Sequence, residues 1–254
     1  MAFIAVDIGN TNTKIALVEG EIKGIIRFNN YLSPAPDDCI STLRKEFGDP
    51  GYEGGIIASV VSSRTAIFHD LISRLTGVQP IVLDHTTDTG LEIRLESPET
   101  LGADRIANAV AAYTITGGKT VVVDFGSATT TTGVNEKGEI FCGTIMPGVD
   151  MMFQVLSEKT DRLPLLSLNG SIKGIGRDTK SSIISGIAYG TAGAVERVLR
   201  EIEREMGRFE TVITGGASDM IRDLLRVRHR HVRDLTIMGL KIIFERNRYE
   251  SVKT

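Results

Sequence analysis

Two acidic turns and one acidic helix start could do chemistry in this chain. Asp7 closes the apolar run Phe3 to Val6 and opens Asp7-Ile8-Gly9-Asn10-Thr11-Asn12-Thr13-Lys14. Asp124 closes Val121 to Val123 and opens Asp124-Phe125-Gly126-Ser127-Ala128-Thr129-Thr130. Each turn sets a carboxylate beside a glycine, which lets another group approach the backbone, and beside small hydroxyl residues. In the first turn the amides from Asn10 to Thr13, the hydroxyls of Thr11 and Thr13, and Lys14 are donors suited to phosphate oxygens. Asp7 would repel a bare phosphate, so its presence makes sense with a Mg²⁺ ion between them, contacted through water. The pair reads as two lobes clamping one polyphosphate across a cleft. Phosphoryl transfer asks a protein mainly for such positioning and charge neutralisation.

The third acid is Asp104, within Gly102-Ala103-Asp104-Arg105. An acid at a helix start is favoured by the helix dipole, by about 0.3–1 kcal/mol, and that alone would explain it. A surface pair with Arg105 would also explain it. The functional reading gives Asp104 the proton of a substrate alcohol and gives Arg105 a substrate carboxylate, which a guanidinium grips as a fork. The residues alone leave these readings open. Val212 to Ser218 adds a strand followed by Gly215-Gly216, which would let backbone lie against a base or ribose, or would simply be a tight turn.

The elements that must hold these residues alternate. Strands are expected at Phe3 to Val6, Lys14 to Val18, Ile22 to Phe28, Gly55 to Val61 and Ile81 to Leu83, with helices at Asp37 to Phe47, Thr65 to Leu75 and Pro98 to Thr116. The second half supplies strands at Lys119 to Asp124, Thr129 to Val134, Glu139 to Ile145 and Thr211 to Thr214. Its helices are expected at Thr179 to Met206 and Leu235 to Arg246. This is an α/β pattern. It also repeats: Ile4 to Gly9 matches Val121 to Gly126 at an offset of 117 residues (124 minus 7), which sets Thr13 over Thr130, and Gly20-Glu21-Ile22 matches Gly138-Glu139-Ile140 one residue later. A period of that length is too long for a solenoid and implies two related lobes, 1–116 and 117–254.

Other classes find little support. The 254 residues carry a net charge of −3, 41% hydrophobic and 24% charged residues, so neither disorder nor a global field for nucleic acid or anionic membranes is expected. No apolar run is long enough to span a bilayer, and no basic leader precedes Asp7. Two cysteines, Cys39 and Cys142, are too few for a disulfide scaffold or a structural zinc site, which favours a reducing cytoplasm. P-loop, dinucleotide, zinc-helix and nucleophile-elbow motifs are missing. Five arginines between Arg222 and Arg233 lack interleaved aromatics and read as a charge-balanced surface.

Taken in order, the motifs resemble the type III pantothenate kinases. The resemblance rests on Asp7 to Lys14, Gly102 to Arg105, Asp124 to Thr129, Gly176-Arg177-Asp178-Thr179, Thr214-Gly215-Gly216 and Asp234 to Leu240, and covers nearly the whole chain. It implies duplicated ribonuclease H-like lobes of the acetate and sugar kinase, chaperone ATPase and actin superfamily. It implies ATP-dependent phosphorylation of pantothenate to 4′-phosphopantothenate, the first step toward coenzyme A. By motif, Asp104 would accept the proton, and Gly102, Ala103, Arg105 and Thr179 would help hold pantothenate. Asp7, Ile8, Gly9, Asn10, Thr11, Asn12, Thr13, Lys14 and Ser127 would bind ATP with its Mg²⁺, and Asp124 a monovalent cation, K⁺ or NH₄⁺. The resemblance also implies a homodimer, for which Gly186, Gly190, Gly193 and Ala194 offer a stripe permitting close helix contact or ordinary packing. Two departures stand out: Leu95 sits where some relatives carry a substrate-contacting tyrosine, and Ser127 replaces a frequent threonine. The runners-up are another kinase or phosphatase of the superfamily and a non-catalytic regulator.

Overall fold

A computed structural model describes residues 2–30, 36–48, 51–170 and 172–251. It divides into two units, Met1–Ala111 with Leu235–Thr254, and Ala112–Asp234. In the first, the sheet runs β3 (Glu21–Asn29), β2 (Asn12–Glu19), β1 (Ala2–Ile8), β4 (Tyr52–Ser59), β5 (Ile81–Val82). β1 is antiparallel to β2 and parallel to β4. Strand β1 is apolar at almost every position because both its faces are covered, as befits a central strand with a parallel neighbour. Helices α1 (Pro36–Phe47) and α2 (Ser62–Thr76) connect these strands. Leu43, Phe68, Leu71 and Ile72 form one cluster with Ile4, Val6, Ile8 and Ile15 of the sheet. A short β6 (Glu92–Ile93) follows.

In the second unit β7 (Thr120–Phe125), β8 (Ala128–Val134), β9 (Glu139–Pro147), β10 (Glu210–Thr214) and β11 (Arg230–His231) repeat the order, β9-β8-β7-β10-β11. β7 is again antiparallel to its hairpin partner and parallel to β10. These are the duplicated ribonuclease H-like sheets the sequence echo implied. Even the irregularities repeat. The register slips between Leu17 and Val18 in the first copy and between Gly133 and Val134 in the second. The β-turn glycines Gly20 (φ 67°) and Gly138 (φ 78°) both use the left-handed conformation. The hairpin registers correct one detail of the sequence alignment. Thr13 lies opposite Ile8, and Thr129 lies opposite Phe125, so Thr129 rather than Thr130 is the counterpart of Thr13. The turn between the first two strands is one residue shorter in the second copy, and Thr130 stands where the first copy has Lys14.

Three further expectations change. The helix expected from Pro98 is interrupted: Pro98–Thr100 is a single 3₁₀ turn, Leu101 is extended (φ −72°, ψ 121°) and buried, and α3 (Ala103–Thr116) begins afresh after Gly102. An additional helix α4 (Val149–Glu158) follows β9, and its Val149 and Phe153 are buried against α5 (Thr179–Met206) and Phe125. Lastly, the closing helix α7 (Leu235–Ser251) belongs to the first unit, not to a 117–254 lobe. Its Phe244 ring stacks on Phe3 of β1 with centroids 4.0 Å apart, so the chain's last helix covers the first sheet. The short α6 (Ser218–Ile221) completes the second unit.

Candidate active site

The first acidic turn joins β1 to β2. Asp7 faces Lys14 across the hairpin, with Nζ 3.7 Å from Oδ2 and both side chains mostly covered. The Gly9 N–H donates to Asn12 O at 2.9 Å, which curls the turn on itself. A Cβ on Gly9 would sit 3.2 Å from that same carbonyl, tight enough to force a shift. Asn10 and Asn12 are exposed and Thr11 is half-buried, whereas Ile8 and Thr13 are buried. The Thr13 hydroxyl is directed inward. It donates 2.8 Å to Asn30 Oδ1. Asn30 is the residue that sequence reasoning missed. Its Nδ2 donates to Gly9 O at 2.7 Å and to Asn10 O at 3.3 Å, and its own N–H donates to Thr11 O at 2.8 Å.

Asp104 stands in the first turn of α3. The interruption at Leu101 is what puts it there, because Gly102 then becomes the residue whose carbonyl accepts the Ile106 N–H, at 3.1 Å. Gly102 has a second duty: a Cβ there would lie 2.5 Å from Asp104 Oδ1. The same Cβ would lie 3.6 Å from Val60 Cγ1, so an apolar side chain stands beside Gly102. One oxygen accepts the Arg105 N–H at 2.8 Å. Burial nevertheless pushes the Asp104 carboxyl above the ordinary aspartate value, outweighing that hydrogen bond and the Arg105 charge. A carboxylate raised in this way is a better proton acceptor than an exposed one. Ala103 is buried and Arg105 half-buried.

The second acidic turn is enclosed by glycines. Asp124 pairs with Thr130 on one side and Thr214 on the other. A Cβ on Gly126 would lie 3.3 Å from Asp124 Oδ1. Gly215, at φ 96°, lies closer still: a Cβ would overlap Asp124 Oδ1 and the Phe125 backbone. Gly148, just after β9, is packed so that a Cβ would overlap the carbonyls of Gly126 and Ser127. The Gly215 turn is held by Ser218, whose hydroxyl donates 2.5 Å to Gly215 O and lies 2.9 Å from His231 Nε2. Burial lowers the His231 pKa, so the ring is neutral at pH 7 and accepts from Arg222 at Nδ1, 2.9 Å away. Gly126 and Gly215 thus both pack against the Asp124 carboxylate, and a carboxylate is a ligand that suits a hard cation. No group of three or more His, Cys, Asp or Glu suited to a divalent cage occurs among the described residues.

Thr179 is exposed at the start of α5, where the preceding motif has a plain structural role. Asp178 caps the helix by accepting the Ser181 N–H at 2.8 Å, which holds its carboxyl below the usual range. Gly176 lies against the backbone of Ser182 too closely for a Cβ. Three arginines of the arginine-rich stretch are paired: Arg222 and Arg233 with Asp219, and Arg230 with Glu210.

Known proteins identify the family. The family model of type III pantothenate kinase matches residues 3–201. The chain belongs to the type III pantothenate kinase family. A type III pantothenate kinase of Moorella thermoacetica is 36% identical over 251 residues, covering 96% of this chain and 99% of the relative. One from Dehalococcoides mccartyi is 34% identical over 252 residues, covering 96% of each chain. Among solved structures, a Campylobacter jejuni protein described as a Baf family transcriptional activator superposes with a TM-score of 0.61 at 19% identity, covering 97% of this chain and 100% of that one. A ROK family glucokinase from Streptomyces griseus, in complex with glucose and AMPPNP, gives 0.52 at 12% identity, covering 98% and 100%. These structures share the fold of this pantothenate kinase family member.

Proposed function

We propose a residue-level account of a pantothenate kinase that uses ATP with a divalent metal in coenzyme A biosynthesis. The γ-phosphoryl group passes from ATP to the primary hydroxyl of pantothenate: the bond from phosphorus to the β–γ bridging oxygen breaks, a new bond to the hydroxyl oxygen forms, and the hydroxyl proton goes to Asp104. The observation that carries this assignment is the carboxyl of Asp104, packed against Gly102 at the start of α3 and raised in pKa by burial. In a loose transition state such a base acts late and mainly orients the hydroxyl. Arg105 supplies the charge for pantothenate's carboxylate, Gly102 and Ala103 shape the seat, and Thr179 contributes a hydroxyl. The turn Asp7 to Lys14 holds ATP phosphates through its exposed amides and Lys14, and Ser127 contributes a further hydroxyl to ATP. Asp124 holds K⁺ or NH₄⁺, supported by its carboxylate and the two glycines, Gly126 and Gly215, packed against it. When bound, that cation supplies positive charge near the phosphates.

The test is coupled ADP release with and without pantothenate, in K⁺ and in Na⁺ at equal ionic strength. ADP release should require pantothenate and run several-fold faster in K⁺. Glycerol, hexoses or acetate replacing pantothenate would reassign the substrate, and equal rates in both salts would remove the cation from Asp124.

The reading includes a homodimer and a cytoplasmic location. The latter rests on two unbridged cysteines and on the absence, among the described residues, of a helix long and apolar enough to cross a membrane. The dimer rests on α5. A Cβ at Gly186, Gly190 or Gly193 would meet nothing within 4 Å, and Tyr189 beside them is 43% exposed. Each helical glycine costs about 0.8–1.0 kcal/mol relative to alanine, so a face that carries three without an internal contact is suited to close approach by a second helix. Sedimentation should give twice the 27.6 kDa chain mass. Gly190→Leu, whose Cβ would meet nothing within 4 Å, should shift the protein toward monomer without loss of fold. A wild-type monomer at tens of micromolar would end the dimer reading.

A further inference from the structure

The two hairpins differ where each third strand ends. The Asn30 N–H donates to Thr11 O at 2.8 Å, and the Gly148 N–H donates to Ser127 O at 3.2 Å. Both residues follow directly on the third strand of their copy, and Thr11 and Ser127 each lie two residues before the equivalent threonines Thr13 and Thr129. The backbone seam is therefore the same, but the side chain is not. The Asn30 amide reaches into its turn and ties Gly9 O, Asn10 O and the Thr13 hydroxyl. Gly148 has no amide to offer and no room for one. Accordingly Thr129 Oγ1, the counterpart of the Thr13 hydroxyl, is buried with no hydrogen-bond partner among the described residues.

The consequence lies in the planarity of the peptide. A trans peptide points its N–H opposite to its C=O. Asn30 holds the carbonyls of Gly9, Asn10 and Thr11, the first two through its side chain and the third through its backbone. The N–H groups of Asn10, Thr11 and Asn12 are thereby turned away from Asn30, as successive donors of the kind that bind anions. Asn30 is itself anchored, because its carbonyl accepts Arg64 Nη2 at 2.6 Å from the first turn of α2.

We propose that Asn30 is a positioning residue for ATP: it sets the direction of the phosphate-binding amides without touching the nucleotide. This rests on the reading that the Asp7 to Lys14 turn holds ATP. In the second copy Gly148 keeps the backbone bond to Ser127 but brings no side-chain amide to the turn.

The experiment measures KM for ATP, KM for pantothenate, kcat and Tm for wild type, Asn30→Ala, Asn30→Asp and Lys14→Ala. Asn30→Ala should raise the ATP KM roughly tenfold, the scale of losing two or more oriented hydrogen bonds, and leave the pantothenate KM within about twofold. Asn30→Asp should do at least as much, since it keeps the acceptor for Thr13 but loses both donors. Should Asn30→Ala not fold, Asn30→Gln, which displaces the amide by one methylene, is read in the same way. An unchanged ATP KM in the Asn30 variants, with a raised one in Lys14→Ala, overturns the role of Asn30 and leaves the turn as the ATP site. If neither residue moves the ATP KM, the turn does not hold ATP and both readings fall. An equal rise in both KM values, or a lowered Tm with neither KM changed, marks general structural support and overturns the proposal.

Discussion

Asp104→Asn should fold normally and turn over pantothenate roughly 10²–10⁴-fold more slowly, the usual contribution of a positioned general base. Asparagine keeps an oxygen for the Arg105 N–H, which the native carboxylate accepts at 2.8 Å, so the helix start survives. What it loses is the ability to take a proton. The raised pKa adds a sign. Because burial disfavours the charged form of Asp104, the wild type forfeits stability as pH rises from the unfolded carboxylate value through the higher folded one. Above that folded value the penalty is complete. The asparagine variant has no such penalty, so at neutral pH it should be at least as stable as wild type, with the advantage fading as pH falls through the folded value and gone below the ordinary aspartate value. In the same way, the acid limb of wild-type kcat should lie at higher pH than an exposed aspartate would give. Urea titrations at acidic and neutral pH, with turnover at each, check both arms. A folded Asp104→Asn enzyme with near wild-type kcat would take the base away from this residue.

The sequence made the duplication legible because it is written in three consecutive strands and an acidic turn, all local features. It could not place the gap. Two adjacent threonines, Thr129 and Thr130, both fit over Thr13, and only the hydrogen-bond register separates them. Asn30 escaped notice for a related reason. It lies 17 residues beyond Thr13, at a strand end where an asparagine usually means only a turn, and its importance arises from the hairpin that brings it back. The break at Leu101 was hidden because Pro98 is a good helix start and the apolar spacing continues through it. The raised pKa of Asp104 was invisible for a deeper reason, since burial is a property of the folded surroundings rather than of the motif. Helix α7 shows the same limit: an apolar helical stripe announces that it will be buried, but not against which sheet.

That last point has a large measurable consequence. Helix α7 seats α3, the helix that carries Asp104. Thr236 Oγ1 donates 3.0 Å to Asn108 Oδ1, and one turn further Gly239 lies directly on the Ala107 carbonyl. A Cβ at Gly239 would overlap the oxygen and carbon of that carbonyl and the Ala107 Cα. The obstacle is backbone on a helix, so no side-chain rotation relieves it, and the two helices must separate. Gly239→Ala should therefore destabilise the protein despite alanine's better helix propensity, by about 1–3 kcal/mol or more for an overpacked contact. For a chain of this size each kcal/mol corresponds to roughly 2–4 °C of Tm. Activity should fall beyond the loss of folded protein, because Ala107 follows Asp104 by a single helical turn. Thr236→Ser, which keeps the hydroxyl, should have a much smaller effect on both. Thermal melts and kcat per folded molecule separate the two contributions. An unchanged Tm in Gly239→Ala would mean that the end of the chain does not seat the helix bearing Asp104. A lowered Tm with full kcat would mean that it seats the helix without setting the position of the base.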